Sequence, residues 1–235
     1  MLYPTRFAVG LALIVGACSD DPEDLGPDAG PDAPLADAPP SDPTAADLLA
    51  AVADCSNVIG GPYMDGPGQP NDVDICGFAG AIAWTSDLDI DCDGKETPEC
   101  NLQTDPYFMN QTAANDSLGD PLDAATLPFV VFPGASARWD YRMHGIGMRT
   151  VVAVIYANQV VYGVAGDVGP VAYIGEASYA MAEALGIDPD PSTGGTSGPV
   201  TYIAFTGMES RVTVIEDHAE ATALGIARAK ILLGL

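Results

Sequence analysis

Val151-Val152-Ala153-Val154-Ile155-Tyr156 and Val160-Val161-Tyr162-Gly163-Val164 flank the tripeptide Ala157-Asn158-Gln159. Runs of five or six β-branched and aromatic residues are too short for helices, and a short polar link between two of them reads as a β-hairpin. Gly80-Ala81-Ile82-Ala83-Trp84, Phe129-Val130-Val131-Phe132 and Val200–Phe205 are runs of the same kind. The breakers Gly60-Gly61-Pro62, Gly66-Pro67-Gly68 and Gly194-Gly195 separate such runs. Two helices are expected. One spans Ala177 to Leu185 and stops at Gly186; the other spans His218 to Leu233, with Ala221, Leu224, Ile226, Ile231 and Leu232 in an apolar helical pattern. The expected fold is mainly β, a small barrel with peripheral helices.

The chain has 235 residues, 48% of them hydrophobic, and a net charge of −25 from 33 acids and 8 bases. That length and apolar content suffice for a sizeable core. So few bases exclude most nucleic-acid roles and disfavour a polybasic membrane patch, because both are built from Lys and Arg. A cationic partner is favoured instead.

The N-terminus reads as an export signal, with Arg6 ahead of an apolar stretch from Phe7 to Ala17 that is too short to span a bilayer. Leu13-Ile14-Val15-Gly16-Ala17-Cys18 resembles a bacterial lipobox. Residues 1–17 are then a signal peptide, and Cys18 is the lipidated residue that anchors the protein to the cell envelope, at the outer membrane or cell surface. The alternative is an ordinary secretory signal and a free secreted protein. Residues 18–46 are rich in Asp, Pro and Ala and form a semi-rigid, solvated tether. Without Arg6 and the tether's eight acids, 25 acids and 7 bases remain, so the expected catalytic domain at 47–235 still carries −18.

Four further cysteines, Cys55, Cys76, Cys92 and Cys100, suit an oxidising compartment. Three pairings are possible. The short separation favours Cys92 with Cys100, which leaves Cys55 with Cys76. No metal is expected, since there is no CxxC pair and only His144 and His218 are available.

Asp87, Asp89, Asp91 and Asp93 occupy alternate positions. On an extended chain they share one face, where mutual repulsion calls for a cation, a cationic ligand or water. Asp89-x-Asp91-x-Asp93-Gly94 also imitates the start of an EF-hand loop, with Cys100 where that loop has Glu. A second segment, Gly163-Val164-Ala165-Gly166-Asp167-Val168-Gly169 followed by Gly175-Glu176, sets two carboxylates among glycines that allow tight turns. Paired carboxylates are what glycoside hydrolysis needs. Glu176, near Tyr173, Ile174 and Tyr179, suits a general acid, and Asp167 suits a group that stays ionised. Trp84, Tyr107 and Trp139 are candidates for stacking on sugar rings, with core or rim packing the commoner use of such residues.

Asp54-Cys55-Ser56, Ile75-Cys76-Gly77, Asp89-Ile90-Asp91-Cys92-Asp93-Gly94, Pro128–Phe132, Gly166-Asp167, Gly175-Glu176-Ala177-Ser178 and Tyr202–Gly207 follow one another in an order that resembles the chitosanases of glycoside hydrolase family 75. The resemblance implies a double-psi-like β-barrel and endo-hydrolysis of β-1,4 bonds between glucosamine residues of chitosan, with inversion and without a cofactor. It implies that Asp167 and Glu176 are catalytic. Asp89, Asp91 and Asp93 then become substrate-binding candidates that hold protonated amines by charge-assisted hydrogen bonds. A monomer with no nucleic-acid partner is expected. Two other readings compete: a barrel enzyme cleaving peptidoglycan or another glycan, and a non-catalytic, lipid-anchored binder of cationic polymer or calcium.

Overall fold

A computed structural model describes residues 41–235. The expected signal peptide, Cys18 and the tether as far as residue 40 lie outside the described residues. Helix α1 (Ala45–Ala51) starts two residues before the expected domain boundary. Thr44 caps it, and Asp47 returns a bond to the Thr44 amide, so two orphan N–H groups are satisfied together.

Eight strands follow: β1 (Val58–Tyr63), β2 (Val73–Phe78), β3 (Ala81–Asp91), β4 (Phe129–Pro133), β5 (Val151–Tyr156), β6 (Gln159–Gly169), β7 (Glu176–Ser178) and β8 (Thr196–Phe205). Their order is β1-β2-β3-β7-β4-β6-β5-β8, and β8 pairs back onto β3. Six strands, β3 to β8, therefore close a barrel, and β1–β2 extend it as a meander. The expected small β-barrel with peripheral helices is what the chain forms. Closure leaves no free edge within those six strands. The β3–β7 and β4–β6 pairs are parallel, and the other barrel pairings are antiparallel.

The expected hairpin is present, with a tighter link. Tyr156 pairs with Gln159, so the turn is only Ala157-Asn158, both with positive φ (45° and 67°). Two left-handed residues match the twist of a two-residue hairpin.

Period-two alternation sorts each strand into two faces. Trp84, Phe132, Val152, Ala165, Ala177 and Tyr202, one from each barrel strand, belong to a single inner cluster. In it Trp84 stacks on Tyr202 at 5.1 Å and meets Phe132 edge-on. The opposite face of the strands contributes Ala83, Val131, Ala153, Val164 and Phe205 to an outer cluster. Helix α3 (His218–Leu233) packs over that face at β5 and β6. Its bounds are those expected, but its buried row is Ala221, Gly225 and Ala229, while Ile231 is exposed. Small residues let the helix approach closely: Gly225 lies directly against the Tyr162 ring.

Two expectations about the glycine-rich segment are corrected. Asp167 lies inside β6, not in a turn. Gly163 and Gly166 are strand positions where neighbours press in, the Pro128 carbonyl oxygen at 2.5 Å and the Phe129 side chain at 2.7 Å from where a Cβ would stand. The helix expected from Ala177 begins later, as α2 (Tyr179–Ala184), because Glu176–Ser178 pair with β3 and β4 and Ser178 serves as N-cap.

Candidate active site

The order β3-β7-β4-β6 brings the two acidic segments side by side. Asp89 is in register with Glu176, and Asp91 with Ser178, across the parallel β3–β7 pair. Asp167 is in register with Val131 across β4–β6. Leu88 and Ala177 point into the barrel, so Asp87, Asp89, Asp91 and Glu176 face outward. Asp167 shares a face with Val131, which belongs to the outer cluster. The carboxylates therefore line the outer wall of the barrel.

The connection between β3 and β4, residues 92–128, lies over this wall. Cys92 is bonded to Cys100, and Cys55 to Cys76, the pairing favoured by spacing. The Asn101 side-chain amide donates to the carbonyls of Thr97 and Pro98, and Lys95 pairs with Asp116 at 2.6 Å. So held, the connection delivers two backbone donors: Ala113 N–H to Asp167 Oδ1 and Met109 N–H to Asp93 Oδ1, each at 2.7 Å. Val168 N–H also donates to Asp167 Oδ1, and Asp93 N–H to Asp91 Oδ1.

Carboxylate oxygens of Asp91, Asp93 and Asp167 lie within 4.8 Å of one another. At that spacing like charges repel strongly, and a proton, a protonated amine or a cation relieves them. Asp91 Oδ2 is buried without a hydrogen-bond partner. The EF-hand imitation has no helix–loop–helix frame, because Asp89 and Asp91 belong to β3.

Every charge that raises these carboxyls is another carboxylate. Burial, then Asp89, Asp167 and Asp93, push Glu176 up to about 7. Burial also raises Asp167, but the Ala113 and Val168 amides oppose it by stabilising the ionised form. Asp91 is held well above the usual carboxylate range, burial being the largest cause. Burial takes Asp93 to about 6, and burial together with Asp89 takes Asp87 to about 8. Asp89 is raised by the surrounding protein and then by Asp65.

All five expected site residues, Asp89, Asp91, Asp93, Asp167 and Glu176, come together on this wall. Two of the three sugar-stacking candidates do not join them: Trp84 and Trp139 are 2% and 3% exposed, in the inner cluster. Tyr107, in the covering connection, is 88% exposed. Asp65 was not anticipated. It reaches Asp87 and Asp89 because Met64 pairs with Tyr173, just ahead of β7, and an Asp after a Gly-Gly-Pro breaker carries no sign of that contact. The Ala113 and Met109 amides were also missed, since a backbone donor has no sequence signature.

The family model described as fungal chitosanase of glycosyl hydrolase group 75 matches residues 88–228. The chain belongs to glycoside hydrolase family 75. An endo-chitosanase of Aspergillus oryzae is 37% identical over 136 residues, covering 53% of this chain and 56% of that protein. Endo-chitosanase C of the same species is 31% identical over 218 residues, 87% of this chain and 54% of that protein. An Aspergillus fumigatus endo-chitosanase is 29% identical over 171 residues, 66% of this chain and 72% of that protein. The chain thus spans about half the length of the Aspergillus oryzae relatives. The matched region takes in Asp89, Asp91, Asp93, Asp167 and Glu176 but not Asp65. Two disulfides suit a family 75 member working in an oxidising, extracellular setting.

Proposed function

We propose that this family 75 member is an endo-acting chitosanase that hydrolyses β-1,4 bonds between glucosamine residues with inversion. The observation that carries the proposal is the opposed setting of two carboxyls on one wall. Burial raises Asp167, but two amides oppose that rise by stabilising its ionised form, whereas Glu176, with only carboxylates beside it, is pushed up to about 7. That is the division of labour an inverting glycosidase requires. Glu176 donates its proton to the glycosidic oxygen as the bond to the anomeric carbon breaks. Asp167 takes a proton from a water attacking that carbon from the opposite face, and the amides that bind Asp167 favour its ionised, proton-accepting form.

Glu176 Oε2 lies 2.6 Å from the position of a Cβ on Gly169, and Gly169 is two residues from Asp167 on the same strand. Inversion calls for carboxyls about 6.5–9.5 Å apart and retention for about 5–5.5 Å, and the anomer released first decides between them.

Asp87, Asp89, Asp91 and Asp93, with Asp65 beside them, form an acidic floor for a polymer of protonated amines, and no Lys or Arg is among the groups that shift the four residues from Asp87 to Asp93. We further propose that Cys18 is lipidated, so that the enzyme works at the cell envelope; the mass of the mature N-terminal peptide tests that. The test of the activity is chitosan digestion by wild type, Glu176→Gln and Asp167→Asn, with reducing ends and product anomer followed. Each variant loses 10²- to 10⁴-fold in kcat, the usual contribution of one positioned proton-transfer group, and wild type releases the α-anomer first. Variants of near-normal activity overturn the residue assignment, and a β-anomer overturns inversion.

A further inference from the structure

Gly169 ends β6, paired with Pro133 of β4, and its carbonyl accepts the Gly134 amide at 3.0 Å. Its φ lies outside the left-handed region, so the backbone there is one that any residue adopts. What calls for glycine is space. A Cβ at this position would stand 2.6 Å from Glu176 Oε2 and 3.1 Å from Val131 Cγ1. The first distance is closer than non-bonded atoms tolerate, so a side chain at 169 and the present seat of the Glu176 carboxyl exclude each other.

We propose that Gly169 is a positioning residue for the reaction: its missing side chain is the seat that holds the Glu176 carboxyl at its working distance from Asp167. The inference rests on the reading of Glu176 as acid and Asp167 as base. Strand β6 then carries both the base and the resting place of the acid, and their separation is a property of one strand's repeat. An alanine at 169 meets two neighbours of different kinds. Val131 is a core side chain that gives by a few tenths of an ångström. The Glu176 carboxyl is the free end of a flexible chain, so it is the group that yields. The fold survives and the acid moves, by about 1 Å and toward solvent. A misplacement of that size costs up to about 10²-fold in rate.

Glu176 faces Asp89 and Asp91 from β3, Asp167 from β6, Tyr202 from β8 and Asp93 from the covering connection, and none of these is altered by the change. A drop in its proton affinity therefore reports its release from the buried seat. The experiment compares wild type with Gly169→Ala by kcat and KM on chitosan, melting temperature, and ¹³C NMR titration of the Glu176 carboxyl. The expected result is a kcat lower by about 10- to 100-fold, KM within about twofold, a melting temperature close to wild type, and a Glu176 midpoint below that of wild type. An unchanged kcat and midpoint overturn the proposal. A fall in melting temperature with an unmoved midpoint also overturns it, since Gly169 would then be only a packing position. Should Gly169→Ala fail to fold, Val131→Ala with Gly169→Ala supplies room on the core side and must show the same lowered midpoint. A wild type that leaves chitosan intact defeats the parent reading, while the NMR midpoint still decides whether Gly169 seats the carboxyl.

Discussion

Asp89 and Glu176 stand in register on the parallel strands β3 and β7, on the same outward face. A carboxylate beside a carboxyl disfavours its ionisation, and Asp89 is the largest charge acting on Glu176 after burial itself. A residue from the acidic row of β3 thus helps to keep the proposed acid protonated.

Asp89→Asn removes that charge, so the ionised form of Glu176 becomes less costly and its pKa falls. The alkaline limb of kcat/KM moves to lower pH, and activity at pH 7 relative to pH 5 drops by about threefold or more. A pH–rate profile of the two proteins checks this; coincident alkaline limbs contradict it.

Folding stability is expected to decline from mildly acidic to alkaline pH. Asp93, Glu176 and Asp87 hold protons in the folded protein up to about 6, 7 and 8. The unfolded chain releases them near pH 4. Between these values the folded state binds more protons, so raising the pH favours unfolding. The stabilisation is whole below about pH 4 and lost as pH passes through 6 to 8. Melting temperatures at pH 5 and pH 8.5 should show the fall, and Asp87→Asn should lessen it and melt higher than wild type at pH 8.5.

The Cys92–Cys100 bridge closes a short loop at the root of the covering connection. Replacing both residues by Ser removes about 2.5 kcal/mol by the loop-entropy estimate. It also loosens the delivery of the Met109 amide to Asp93. Urea unfolding should show an earlier midpoint, and KM on chitosan should rise severalfold more than kcat falls.

An acidic floor facing a polycation makes binding sensitive to ionic strength. KM on chitosan should rise about tenfold between 0.05 and 0.5 M salt, with kcat nearly constant. Tyr107, exposed on the connection that also supplies the Met109 amide, offers an aromatic face to sugar and ammonium groups. Tyr107→Ala should raise KM about three- to tenfold, a loss of roughly 1 kcal/mol, and Tyr107→Phe should restore it. Steady-state kinetics at fixed pH measure both.

Much of the barrel was legible locally. The Val151–Val164 hairpin, the alternating acids of β3, the span of α3 and both disulfides follow from periodicity or from short separations along the chain. Gly163 to Gly169 misled because glycine signals backbone freedom and close approach alike. Here the second use holds, with Pro128, Phe129 and Glu176 filling the spaces. Trp84 and Trp139 take the packing role open to any aromatic residue, because one that could stack on a sugar and one that fills a barrel look the same in sequence.

The chain alone determined the residue chemistry: a surplus of acids, strands of period two, and Asp167 and Glu176 in a family 75 order. Tertiary structure decided how those groups act. Closure of β8 on β3 turned the acid row outward. The connection from residue 92 to 128 brought Ala113 to Asp167 across 54 positions. The β6 backbone at Gly169 became the seat of Glu176. Side-chain identity and alternation are local, whereas burial, charge proximity and the donors that set each proton's affinity arise only when distant strands pair.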